Sequence, residues 1–261
     1  MSRHERLNAI LTLLADHGRL DVEEAVAHLQ VSAATVRRDF DHLARQQLLT
    51  RTHGGAAAVS GSYDLPLGYK IARQANEKRR IALAAAGLVR AGSTIAFNGG
   101  TTTTEVARTV ASLPEFAEEG AITVVTNALN VAMELVVRPQ VKIVVVGGVA
   151  RPQSYELIGP LGDAVLDQIH LHTAFIGVDA VDPEYGATAH HEGEASVNRK
   201  LASRAERVVV VADATKVGRA AFAQICPPEE IDILVTDADP GAEVRAAFAE
   251  RGVEVLVADG A

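Results

Sequence analysis

Residues 32–43 read SAATVRRDFDHL, and their spacing decides what the N-terminal part of the chain is. On a helix, Val36, Phe40 and Leu43 fall at i, i+4 and i+7 and form one inward apolar stripe. Ala34, Arg38, Asp41 and Arg45 point the other way, with Thr35 and Arg37 on the flanks. The outward surface of the first turns therefore carries small residues, a hydroxyl and two arginines, the make-up of a helix that enters a DNA major groove.

Working outward, residues 3–16 place Leu7, Ile10, Leu11 and Leu14 at helical spacing, with His17 and Gly18 closing that helix. Asp21 is expected to cap a second helix, DVEEAVAHLQ, with Glu24 completing a capping box and Val22, Ala25, Val26 and Leu29 turned inward. Ser32 caps the third helix across a very short connection, which is the helix-turn-helix arrangement with the second member as reader. Downstream, LLTRTHGGAAAV predicts a strand at Leu48–Thr52, a turn at Gly54 and Gly55, and a return through Ala56 to Val59. That hairpin is a wing. Ser32, Ala34, Thr35, Arg37, Arg38, Arg51 and His53 are the candidate contacts to double-stranded operator DNA.

The whole chain is acidic, with a formal net charge of −8 over 261 residues, which at first argues against a nucleic-acid partner. The distribution removes the objection. Residues 1–58 hold seven arginines against seven acidic groups, and the rest holds 18 basic and 26 acidic groups. Between Ser32 and His53 there are four arginines and two aspartates. With no tryptophan and few aromatics, a single-strand stacking platform is not expected. At 48% hydrophobic the chain can bury the cores of two domains. No apolar run reaches the length of a membrane span and the N-terminus has no signal-peptide pattern, so a cytoplasmic location is expected. The single cysteine, Cys226, reads as an inert buried residue.

Residues 1–58 are thus read as a winged helix-turn-helix domain, 59–74 as a linker of small and polar residues, and 75–261 as a second domain. The basic run Lys70, Arg73, Lys78, Arg79 and Arg80 against Glu77 is read as a solvated helix face. After a helix from Asn76 to about Arg90, strands are predicted at 94–98, 122–126, 142–147, 173–178, 207–212, 232–236 and 253–258, mostly separated by helices. Short β-branched runs alternating with helices imply a Rossmann-like, mostly parallel α/β sheet whose ligands bind beyond the carboxyl ends of the strands.

Those ends carry glycines and short polar side chains. The first offers Asn98, Gly99, Gly100, Thr101, Thr102 and Thr103 before a helix expected near Glu105, a plausible cradle for a phosphate. Thr126 and Asn127 end the second strand, and Gly147 and Gly148 the third. Asp179 follows the fourth strand and Lys216 the fifth. Glu194 or Asp179 would bond ligand hydroxyls and Lys216 would anchor an anion. No Walker loop or GxGxxG fingerprint is present, so no nucleotide cofactor is expected. His170, His172, His190 and His191 with Glu192 match no zinc spacing, so no metal is expected either.

These stretches resemble the DeoR family of bacterial transcription regulators. Val31, Ser32, Thr35, Val36, Arg37, Arg38 and Asp39 match its reader helix, and Arg51, His53, Gly54, Gly55 and Ala56 match its wing. Phe40 and Gln47 depart from the usual leucine and glycine. GGTTTTEVA, VVTNAL, VVVGG, FIGVDAVD, GEASVNRK and ADATKVG are similar to the family's sensor domain, with Asn98 where aspartate is usual. The resemblance implies a repressor of carbohydrate metabolism genes, a homo-oligomer of two or four copies, controlled by a phosphorylated sugar in a domain related to ribose-5-phosphate isomerase. A sugar-phosphate isomerase is the rival. Its acidic motif would fall on Ile176–Ala180, where only Asp179 ionises, and its lysine has no counterpart among Gly186, Ala187, Thr188 and Ala189. Glu194 alone would remain as a base, which points away from an enzyme.

Overall fold

In a computed structural model of the chain, which describes residues 1–46, 48–58, 67, 74–117 and 121–258, the first helix is α1 (Arg3–His17). It is closed at its start by a capping box between Ser2 and Glu5 and at its end by Gly18 in the left-handed region. Next come β1 (Arg19–Asp21), α2 (Val22–Leu29), α3 (Ala33–Arg45), β2 (Thr50–Thr52) and β3 (Gly55–Ala57). Leu7, Ile10, Leu14, Leu20, Val36, Phe40 and Leu43 close one core among these elements. Each such residue, fully buried, contributes about 1.5–3 kcal/mol.

Two details differ from the sequence reading. The wing is a three-stranded sheet in the order β1-β3-β2, because Arg19–Asp21 pairs with Gly55–Ala57. Asp21 occupies the N-cap position of α2 without a side-chain cap bond. Its carboxylate is held instead over Gly55, where Oδ1 would stand 2.9 Å from an added Cβ. Gln47, Val59, the rest of the proposed linker up to Arg73, and with it Lys70, lie outside the described residues, Leu67 excepted.

The chain divides into two units, Met1–Arg73 and Gln74–Ala261. The second unit runs α4 (Ala75–Ala86), β4 (Thr94–Phe97), α5 (Thr101–Val110), β5 (Ile122–Thr126), α6 (Leu129–Leu135), β6 (Val141–Val145), β7 (Val149–Ala150), β8 (Leu157–Ile158), α7 (Asp163–Leu166) and β9 (Thr173–Gly177). It continues through β10 (Ala180–Asp182), β11 (Gly186–Ala189), α8 (Glu192–Ser203), β12 (Val208–Val211), β13 (Ala223–Cys226), β14 (Ile233–Thr236), α9 (Ala242–Glu250) and β15 (Glu254–Val257). Seven strands form one sheet in the order β15-β14-β12-β9-β4-β5-β6, every pair parallel.

The period of two along each strand divides the interior into two cores. Ile95, Phe97, Phe175, Val209 and Val211 face α4, α5 and α6 through Ile81, Ala85, Val106, Val110 and Val131. Ala96, Ala174, Ile176, Val208 and Val210 face α8 and α9 through Ala195, Leu201 and Phe248. Both faces are covered, as a parallel sheet requires.

The strand order reverses between β4 and β9. Beyond β4 the chain steps outward through β5 to β6; it then returns to the other side of β4 and proceeds outward from β9. The carboxyl ends of β4 and β9 therefore flank the crevice where open α/β sheets take their ligands. A small antiparallel sheet, β10-β11-β13, and the hairpin β7-β8 were not expected from the pattern. The helix expected near Glu105 begins four residues earlier. Gly100 breaks the chain at φ 117, and Thr103 and Thr104 settle into the first turn by bonding their hydroxyls back to Gly99 O and Gly100 O. The basic start of α4 is not simply solvated: Lys78 is buried, and Arg80 Nη1 donates to Asp237 O at 3.0 Å.

Candidate functional site

In the N-terminal unit, α3 turns Ala34, Arg37 and Arg38 to solvent, with Ser32 exposed at its start. Ser32 Oγ accepts from Thr35 N at 3.2 Å and lies 3.0 Å from Thr35 Oγ1, so the two candidate hydroxyls form one cap. Arg38 Nε reaches back to Ala34 O at 3.3 Å. The azimuth of this helix is set by a residue the sequence reading left without a role. Asp39, with only 4% of its side chain exposed, accepts from Arg6 Nε at 2.5 Å and Nη2 at 3.2 Å, a bidentate pair that ties α3 to α1.

The wing is fastened by Arg51. Its Nη1 donates to Gly55 O at 2.6 Å, its Nε lies 3.0 Å from Asp41 Oδ1, and its guanidinium stands 5.4 Å from the Phe40 ring centroid. His53 is exposed at the tip beside Gly54, whose φ of 88 suits glycine.

In the second unit, Asn98 spans the crevice between β4 and β9. Its Nδ2 donates to Gly177 O at 2.9 Å, and its Oδ1 accepts from Gly177 N at 2.8 Å, so the side chain continues the ladder by one pair. Gly100 then starts α5 with no side-chain cap, and Thr101 and Thr102 follow in its first turn. Three backbone N–H groups there, those of Thr101, Thr102 and Thr103, have no intrahelical acceptor by the geometry of a helix start, which makes this end a natural anion cradle. After β12, Lys216 Nζ donates to Val178 O at 2.6 Å, and after β9, Asp179 Oδ2 accepts from His190 N at 2.8 Å.

A second polar cluster joins this loop from the other side. The hairpin β7-β8 carries Glu156, which is buried and accepts from Gly99 N at 2.7 Å. Its Oε2 lies 3.4 Å from Asn127 Nδ2 and from Asn198 Nδ2. Burial, and next the like charge of Glu194, push this carboxyl up to about 8, against the pull of the Gly99 amide and the two asparagines. Glu194 accepts from Arg151 Nη1 at 3.0 Å.

The expected residues are therefore not all alike. Asn98 and Lys216 both bond the backbone at the end of β9, at Gly177 and Val178, while Asp179 is bonded to His190 N; Asn127 bonds Glu156, which holds the Gly99 N–H, and Glu194 is the like charge that acts on Glu156. Thr126 Oγ1 is taken by Ala128 N at 3.0 Å, and Gly147 and Gly148 stand at the root of the hairpin. Arg151, Glu156 and Asn198 escaped the sequence reading. Asn198 had a usable signal, since it lies four residues after Glu194 on α8 and shares its face. Among the described residues no three His, Cys, Asp or Glu gather as metal ligands. His170 Nε2 lies 2.9 Å from Glu206 Oε1, His172 Nδ1 accepts from Thr94 N, and His191 caps α8.

The family of DeoR-like helix-turn-helix domains matches residues 6–61, and the family of DeoR C terminal sensor domains matches residues 73–238. The chain belongs to the DeoR family. The HTH-type transcriptional regulator GlpR of Haloferax volcanii is 34% identical over 253 residues, 97% of this chain and 96% of that protein. The glycerol-3-phosphate regulon repressor of Escherichia coli K12 is 31% identical over 255 residues, 98% of this chain and 99% of that protein. A solved ribose 5-phosphate isomerase from Methanocaldococcus jannaschii is 19% identical with a TM-score of 0.40, over 54% of this chain and 53% of that one, too slight a likeness to carry an inference. As a DeoR-family member the chain is a DNA-binding transcription regulator and not an enzyme. Among its described residues no helix is long and apolar enough to cross a membrane.

Proposed function

We propose that this DeoR-family regulator acts in the cytoplasm as a repressor of carbohydrate metabolism genes, released from its operator by a phosphorylated sugar or related metabolite. Residues 1–58 read double-stranded DNA, 75–261 sense the effector, and 59–74 link them. Arg37 and Arg38 approach bases and phosphates, with Ser32, Ala34 and Thr35 at the helix start and His53 at the wing tip. Arg51 joins them by holding the wing in place. The effector's phosphate lies on the first turn of α5, and Lys216, Asp179 and Glu194 serve its remaining polar groups. Gly147 and Gly148, at the root of the hairpin, complete the effector-binding set.

The observation that carries this reading is the uncapped start of α5 at the reversal of strand order, between Asn98 and Gly177. The name of the glycerol-3-phosphate regulon repressor supports a phosphate ester as the effector class. Specificity from one short helix is limited, so a dimer or tetramer on repeated half-sites is part of the proposal.

A thermal-shift screen tests it. Phosphorylated sugars and glycerol 3-phosphate should stabilise the chain where their unphosphorylated forms do not, and the hits should weaken a gel shift on the gene's own upstream region. Equal shifts from phosphorylated and plain sugars would refute the phosphate site. A monomer by light scattering, alone and on operator DNA, would refute the oligomer.

A further inference from the structure

Large apolar side chains left in solvent gather along one edge of the seven-stranded sheet. On α6, Leu129 and Met133 fall at i and i+4, and Val136 and Val137 carry the same stripe past its end, with Met133 and Val137 each 75% exposed. On β6 the period of two turns Val141, Ile143 and Val145 to the α6 side; the first two pack into the core there and Val145 stays exposed. The hairpin adds Val149 and Tyr155, and the turn after it adds Leu161, 72% exposed.

These pieces adjoin. Leu129 N donates to Tyr155 O at 2.9 Å, which joins α6 to the hairpin, and Val141 N donates to Arg138 O at 3.0 Å, which joins the end of α6 to β6. A Cβ added at Gly162 would stand 2.5 Å from Val146 Cγ1, so the turn that carries Leu161 lies against the end of β6. The opposite edge is unlike it: among the described residues, β15 and α9 expose no large apolar side chain.

The strip has the size of one half of an interface. A Val, Leu or Met side chain removes about 60–120 Å² of apolar surface from water when buried, so these eight, between a third and three-quarters exposed, offer roughly 500 Å². A standard interface takes about 800 Å² from each partner, of which about 57–65% is apolar, again about 500 Å². Each copy carries the whole strip, so a two-fold axis lets two copies cover it mutually and closes the assembly. Lys142 is exposed on the other side of β6, and a charge on an edge strand opposes continuation of the sheet. The contact is therefore between side chains rather than strand to strand. A nucleic acid would need a basic face here, not an apolar one.

We propose that this strip, formed by α6, the end of β6 and the β7-β8 hairpin, is the surface through which two copies of the chain associate. This rests on the oligomer reading above. The same hairpin carries Glu156, which accepts from Gly99 N at 2.7 Å in the loop that opens α5, so the interface and the effector site share an element.

The test is light scattering of the full chain over a concentration series. Met133→Glu on α6 and Leu161→Glu beyond the hairpin should each weaken self-association at least about thirtyfold, the size of an interface hot spot, because a two-fold contact brings two copies of the new carboxylate into the apolar strip. Tetramers should fall to dimers, or dimers to monomers. Both positions are exposed, so the circular dichroism spectrum should stay that of the wild type, and operator gel shifts should weaken although residues 1–58 are unchanged. Phe222→Glu, at the most exposed large apolar side chain outside the strip, should leave the mass unaltered. An assembled wild type whose mass survives in both strip variants overturns this interface and leaves the oligomer standing. Dissociation by Phe222→Glu also overturns it. A monomeric wild type overturns both readings and leaves the strip to a different protein.

Discussion

Asn98 shows how one amide can hold two strands at the point where a ligand must enter. It is 1% exposed, and it both donates to and accepts from the backbone of Gly177. A carboxylate there keeps the acceptor and loses the donor, so Asn98→Asp faces Gly177 O with an unpaired oxygen at a cost of about 1–3 kcal/mol or more if charged. The introduced carboxyl avoids that by staying protonated, which raises its folded value above its unfolded one. Stability is then present at low pH and lost as pH rises, so urea midpoints of the variant should approach wild type near about pH 4 and fall behind near about pH 8. A constant deficit would show that the lost donor is not the cause. The neighbouring Gly99 is limited by space, since an added Cβ meets Glu156 Oε1 at 2.5 Å. Gly99→Ala should cost about 1–3 kcal/mol by overpacking, read as a lower urea midpoint with an unchanged slope.

The reader helix depends on a contact outside its exposed face. Asp39 and Arg6 have side chains 4% and 14% exposed, so removing one partner strands a largely buried charge. Asp39→Ala should destabilise the N-terminal unit by about 3 kcal/mol and weaken the gel shift even though no DNA-facing side chain has changed. Near-native stability would show that the Arg6–Asp39 pair does not hold α3 to α1. What the sequence revealed follows from range. The Val36, Phe40 and Leu43 stripe and the β-branched runs of β4, β5, β9 and β12 are local patterns with a period, and they were legible. The three residues of β1 have no period to read and exist as a strand only because β3 lies beside them. Glu156 sits in RPQSYE, which reads as a solvated loop, and its burial comes from partners 57 and 42 positions away, Gly99 and Asn198. Arg6 and Asp39 meet across 33 positions. No local rule separates these charges from ordinary surface ones.

The chain as a whole combines an acidic body with a small reader whose arginines are local, so its affinity for DNA should be strongly salt-dependent yet rest on few phosphate contacts. Arg38→Ala should weaken operator binding and, if it meets a phosphate, lower the slope of log K against log salt by about 1. The two units also have separate cores, one in Met1–Arg73 and two in Gln74–Ala261. Scanning calorimetry should therefore resolve two transitions, and a phosphorylated effector at about 100-fold above its Kd should raise the C-terminal one by about 2.7 kcal/mol of stability. Operator DNA should raise the other. Because coupling is reciprocal, an effector that releases DNA must itself bind more weakly when DNA is present, so each ligand should shift its own transition less in the other's company. Independent, additive shifts would mean that the effector binds without controlling the reader, and the regulation would then have to act on assembly of the oligomer.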